Sequence, residues 1–231
     1  MKTPHRCGFT RFELVFALAV FGTLCTLLFS ACSDEQQRRR VAMIEQLSNA
    51  KHIAVGLKLY ASDNDGTFPA YDDPDGAKTI FQSSNAALGS LLKTYGVVKV
   101  LFFNKYSAWC KAQKAPAADD RFKLLPGECD WAYVRGLTET MQGDFPLLAN
   151  AFAPGTHTYV AAGAKQGGVW DGRDALVGYV DCSVRVVPTK KKGETFYIPR
   201  RDKPEANAFD AEAEWLEGEK VEVLLPLPPK D

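Results

Sequence analysis

The chain has 231 residues, 46% of them hydrophobic and 24% charged, which suits one domain of ordinary size plus an extension, or two small domains, and excludes a wholly disordered protein. Its 28 basic residues balance its 28 acidic ones, for a formal net charge of zero, so no basic field exists and nucleic acid is excluded as an expected partner. No repeat at a fixed period is visible.

The first element is an apolar run from Leu14 to Cys32 that contains no charged residue. At about 1.5 Å rise per residue it would span roughly 28 Å as a helix, close to the hydrocarbon core of a bilayer. Lys2 and Arg6 precede it, which favours retention of that end in the cytoplasm and export of the body. The apolar core of a secretory signal peptide is usually shorter, about 7–15 residues. The chain then continues as "DEQQRRRVAMIEQLSNAKHIAVGLKLYAS" (34–62), without glycine–proline punctuation. Met43, Leu47, Ala50, Ala54, Leu57 and Ala61 recur at spacings of three and four, and Ile53 and Tyr60 widen the stripe. That is an amphipathic helix, and nothing separates it from the apolar run. One helix of about fifty residues follows, apolar all round in its first half and amphipathic in its second.

The segment Gly8-Phe9-Thr10-x-x-Glu13, followed by a long apolar helix, resembles the prepilin leader of type IV pilins and type II secretion pseudopilins. The resemblance implies that a prepilin peptidase removes residues 1–8, cuts between Gly8 and Phe9 and methylates Phe9. It also implies that Glu13 sets subunit register. A carboxylate at a membrane edge is costly unless paired, and the N-terminal amine of a neighbouring subunit is a suitable partner. The stretch "LKLYASDNDGTFP" (57–69) is similar to the end of the long helix in pseudopilins, with Tyr60, Asp63-Asn64-Asp65-Gly66, Phe68 and Pro69 as its pieces. Gly66 ends the helix and Pro69 prevents its restart. More loosely, "ALVGYVDCSVRVV" (175–187) resembles the C-terminal strand–turn–strand of pilin-like proteins.

Three residues depart from the family pattern. Arg11 occupies a usually apolar position, Ser30 stands where many relatives carry a kinking proline, and Cys182 replaces the turn glycine after Asp181. A side chain tolerates positive φ poorly, so a turn of different shape is expected there. A competing reading also starts in this region. "FSACSD" (29–34) resembles a lipoprotein signal box, in which Cys32 would carry the lipid and become residue one of a lipid-anchored envelope binding protein.

In the body, residues 63–76 are rich in Asp, Gly and Pro. Asp63, Asp65, Asp72, Asp73 and Asp75 could bind calcium, but their spacing matches no EF-hand, and a solvated turn is the simpler reading. Residues 77–95 are expected to be a helix with Ile80, Phe81, Leu88, Leu91, Leu92 and Tyr95 on one face. Strands are expected at 97–103, 130–136, 157–163, in two runs within 175–187, at 194–198, and at the end in "KVEVLLPL". Residues 104–128 and 189–193 read as loops, 209–219 as a helix, and the final prolines as an extended tail. Several short strands after one long helix suggest an antiparallel sheet packed on that helix.

Cys110, Cys129 and Cys182 lie in the body. If the body is exported, a Cys110–Cys129 bridge is the favoured pairing because the loop between them is short, and it would stabilise by roughly 3 kcal/mol. Three buried, reduced cysteines are the alternative. A zinc site from Cys110, Cys129, His157 and Cys182 has no matching spacing. His5, His52 and His157 have no assignable nucleophile, and no phosphate loop or nucleophile elbow is present. Trp131, Tyr133, Tyr159 and Trp170 could line a binding face, though such residues are more often core.

The expected fold is therefore α+β and pilin-like: a long N-terminal helix, transmembrane in its first half, packed on a C-terminal antiparallel β-sheet domain. The expected organisation is a leader at 1–8, a transmembrane and assembly half-helix at 9–32, an amphipathic half at 33–62 and an exported domain at 63–231. The resemblance implies a structural, non-catalytic subunit without a cofactor, in the bacterial inner membrane as a single-pass protein. Its implied partners are other pilin-like subunits, prepilin peptidase, the inner-membrane assembly platform and the membrane.

Overall fold

The computed structural model describes residues 11–72, 79–111, 122–210 and 221–229, and within the first helix the side chains of residues 12–23 and of those from 37 onward. Two compact units divide it, Met1–Glu45 and Gln46–Asp231. Helix α1 runs Arg11–Asp63, so its first part belongs to one unit and its last turns to the other.

In the first unit α1 carries Glu13 in its first turn. Among the described residues no helix is long and apolar enough to cross a membrane. The transmembrane first half, and the single-pass inner-membrane localisation drawn from it, are corrected accordingly.

In the second unit the last turns of α1 bury Ala50, Ile53, Ala54, Leu57 and Ala61, while Met43, Leu47 and Tyr60 of the expected stripe are half-buried. The helix stops where the chain predicts. Gly66, at φ 75°, donates its N–H to Ala61 O at 2.8 Å, the left-handed closure that glycine adopts without steric cost.

Strands β1 (Tyr71–Asp72) and β2 (Thr79–Ile80) form a small hairpin. Helices α2 (Ser84–Gly89) and α3 (Leu91–Thr94) replace the single helix expected over 77–95. Ser83 caps α2, its side chain accepting from Ala86 N–H, a start signal that fixes the helix well inside the expected range. The apolar run 97–103 is a 3₁₀ turn at Lys99–Phe102 and not a strand; it buries Phe102 and leaves Val98 and Val100 exposed.

The main sheet has five antiparallel strands in the order β10-β3-β4-β6-β7: β10 (Glu222–Leu224), β3 (Trp131–Arg135), β4 (Pro146–Asn150), β6 (Asp174–Tyr179) and β7 (Val184–Pro188). Strand β4, "PLLAN", is buried throughout and is not among the expected strands. A second sheet orders β5 (Tyr159–Val160), β9 (Thr195–Tyr197) and β8 (Lys190–Lys192). The lysine run expected as a loop is thus an exposed outer strand, protected from further pairing by its charge.

The expected layering, with the long helix laid on the sheet, is also corrected. The helix that closely approaches the sheet is α2, beside β3. The described partners of α1 lie in connections between strands: Phe103 O accepts from Gln46 Nε2 at 3.1 Å, Glu139 pairs with Lys58 at 2.7 Å, and Val97 sits beside Gly56. The C-terminal prolines do not form a loose tail. Leu225 O accepts from Ser84 N–H at 3.1 Å, Leu227 O from Gly127 N–H at 3.1 Å, and Leu227 N–H donates to Asn85 Oδ1 at 2.8 Å.

Candidate functional site

Three regions carry the residues singled out in the sequence. The first is the start of α1. Phe12 is 90% exposed, Phe16 72%, Phe21 66% and Val15 65%, so large apolar side chains point outward on every side. Glu13 stands at the positive end of the helix dipole, a favourable position for a carboxylate. Gly8 and Phe9 of the expected processing site lie outside the described residues. Cys32 lies within α1, its side chain outside the described ones.

The second region is the acidic segment after α1. Asp63 and Asp65 are exposed, Asp65 with φ 52°, and Asp72 is in β1; Asp73 and Asp75 lie outside the described residues. Among the described residues no group of His, Cys, Asp and Glu is arranged to hold a metal ion. The four hypothetical zinc ligands are dispersed. Cys182 Sγ donates to Ala54 O at 3.7 Å, whereas His157 packs edge-on to Phe152 at 5.9 Å.

The third region is the buried centre of the body, where Cys110 and Cys129 flank Asp130. The expected Cys110–Cys129 bridge is not formed; both are free thiols, as is Cys182. Each has its own partner. Cys110 Sγ accepts from Asn104 N–H at 3.4 Å, and Cys129 Sγ donates to Trp131 O at 3.7 Å. Burial, with the Asp130 carboxylate adding, pushes the Cys110 thiol far up, and burial raises Cys129 to about 12. Both are therefore poor nucleophiles near neutral pH.

Asp130 was not singled out in the sequence. It is fully buried; Oδ2 accepts from Asn104 Nδ2 at 2.9 Å and Asn150 Nδ2 at 3.2 Å, while Oδ1 has no hydrogen-bond partner. The Ser107 hydroxyl, which accepts from Trp109 N–H at 3.2 Å, is close by. Burial raises the Asp130 carboxyl to about 7, against the opposing effect of Ser107, Asn104 and Asn150. Asn150 extends the network: its Oδ1 accepts from Trp170 Nε1 at 3.0 Å and Leu176 N–H at 2.9 Å, and its carbonyl from Tyr159 Oη at 3.0 Å. The four aromatics considered for a binding face are all buried. Tyr133 and Trp131 likewise donate inward, to Pro69 O at 2.9 Å and Leu101 O at 3.4 Å. Among the described residues this centre is a buried polar core. Its only signal in the sequence is an acidic residue wedged between Cys129 and Trp131.

No family model matches the sequence, and no curated protein or solved structure gives a significant match.

Proposed function

We propose that this chain is a structural subunit of a pilin-like filament, of the type II secretion or type IV pilus kind, and that its work is assembly and not catalysis. The observation that supports the reading best is the exposed apolar surface at the start of α1, from Phe12 to Phe21. Contiguous apolar surface of this kind marks an interaction site. Burying each such side chain against helices of other subunits is worth roughly 1.5–3 kcal/mol.

In this reading the precursor is cut between Gly8 and Phe9 by a prepilin peptidase, and Phe9 becomes the methylated first residue. Glu13 then sets the axial step by pairing with the N-terminal amine of an adjacent subunit. That pairing is the charge-assisted kind, stronger than a neutral hydrogen bond. The body would stand on the outside of the helical bundle.

Filament incorporation of Glu13→Ala tests the register role. Incorporation should fall sharply while the unfolding transition of the body stays in place, because Glu13 belongs to the first unit and the core to the second. Normal incorporation of the variant removes the role proposed for Glu13.

A further inference from the structure

A cleft of about 620 Å³ opens on the second unit, away from the residues considered above. Its size is in the range of ligand-binding clefts. Its half-buried apolar lining is Phe145, Tyr179 and Pro199, underlain by the buried Val177 and Ile198, and it also carries Arg185, Arg200 and Arg201 with Asp144 and Asp202. These residues come from the segment leading into β4, from β6 and β7, and from the segment after β9, so the cleft exists only in the folded body.

The three arginines are not equivalent. Arg200 is held bidentately by Asp202, Nε to Oδ1 at 3.1 Å and Nη2 to Oδ2 at 2.7 Å. Arg201 is 84% exposed and reaches Asp144 only at 4.0 Å. Arg185 is exposed, lies over the Tyr179 ring at 5.1 Å, and donates from Nη2 to Ser183 Oγ at 3.4 Å. A guanidinium has five N–H donors, more than the described partners of Arg185 and Arg201 occupy. Such forks match carboxylates. Strand β7, which carries Arg185, ends the five-stranded sheet, and no described strand pairs with its outer side. The cleft's lining crosses β4 at Pro146, β6 at Tyr179 and β7 at Arg185, and so reaches this edge strand, where an extended segment can add.

We propose that this cleft binds an extended peptide segment that alternates acidic and apolar residues, its carboxylates on Arg185 and Arg201 and its apolar side chains on Phe145 and Pro199. The occupant is a partner polypeptide, and its binding is independent of the helix-mediated assembly proposed above. Asp144 competes with the ligand's carboxylates for Arg201.

The test is fluorescence polarisation of a labelled, end-capped hexapeptide of alternating glutamate and leucine against the full-length chain. A lysine–leucine hexapeptide serves as control. The acidic peptide should bind, more weakly as salt rises, and the basic one should bind at least tenfold less well. Arg185→Ala and Arg201→Ala should each weaken binding by about tenfold or more, the loss of one charge-assisted hydrogen bond. Asp144→Asn should tighten it several-fold, an outcome that misfolding cannot produce. No binding at millimolar peptide, equal binding of both peptides, or affinity unmoved by all three substitutions would overturn the proposal.

Discussion

Asn104 Nδ2 donates to Asp130 Oδ2 at 2.9 Å in a site closed to solvent, and the other carboxylate oxygen of Asp130 has no hydrogen-bond partner. An unpaired buried oxygen favours the protonated acid, as burial itself does. Asp130 is thus raised in the fold, to about 7 from an ordinary 3.8. Between those values the folded state holds a proton that the unfolded chain has released. The contribution of Asp130 to stability is therefore greatest below about pH 4, falls as pH rises towards 7, and levels off above. The shift corresponds to a loss on the order of 4 kcal/mol. Asp130→Asn, neutral at every pH, should lack this slope. Denaturant unfolding of both proteins at pH 4.5, 6 and 8 checks it. Parallel pH profiles for the two would show that Asp130 is charged throughout.

Cys182 adopts φ 63° in the β6–β7 hairpin, where its N–H donates to Tyr179 O at 2.9 Å and Tyr179 N–H donates to Ser183 O at 2.9 Å. The turn keeps the left-handed residue that a glycine would supply, although a side chain costs roughly 1 kcal/mol there. Asp181 helps hold it, Oδ1 accepting from Ser183 N–H at 2.8 Å. Cys182→Gly should stabilise the body by about 0.5–1 kcal/mol. A loss of stability in thermal unfolding would instead give weight to the sulfur contact with Ala54 O.

Gly56 lies mid-helix, where alanine normally gains about 1 kcal/mol. Here an added Cβ would stand 2.5 Å from Val97 Cγ2. Overpacking of that kind costs about 1–3 kcal/mol, so Gly56→Ala should destabilise on balance. Val97→Ala should relieve the clash, and the double variant should be more stable than the sum of the single losses predicts. Additive losses would mean that the helix and Val97 do not press on one another.

How far the chain could be read follows from which signals are local. The buried face of α1 was legible because Ala50, Ala54, Leu57 and Ala61 share one period, and its end because Gly66 and Pro69 terminate it. Strands β3, β6 and β7 were legible from their β-branched and aromatic runs. The run 97–103 was misread because a short apolar stretch does not distinguish a strand from a buried turn. The membrane span was read from the apolar run 14–32, yet among the described residues no helix is long and apolar enough to cross a membrane. Asp130 and the Arg185–Arg201 cleft were invisible for a different reason. Their partners come together only through strand pairing, so no spacing along the chain announces them.

In the function proposed above, the N-terminal helix, freed at Phe9, is an assembly element. Mass spectrometry of the mature protein's N-terminal peptide tests it most directly. A chain that begins at Phe9 and carries one added methyl group is the expected result. A chain that still begins at Met1, or one that begins at a lipid-modified Cys32, would contradict it.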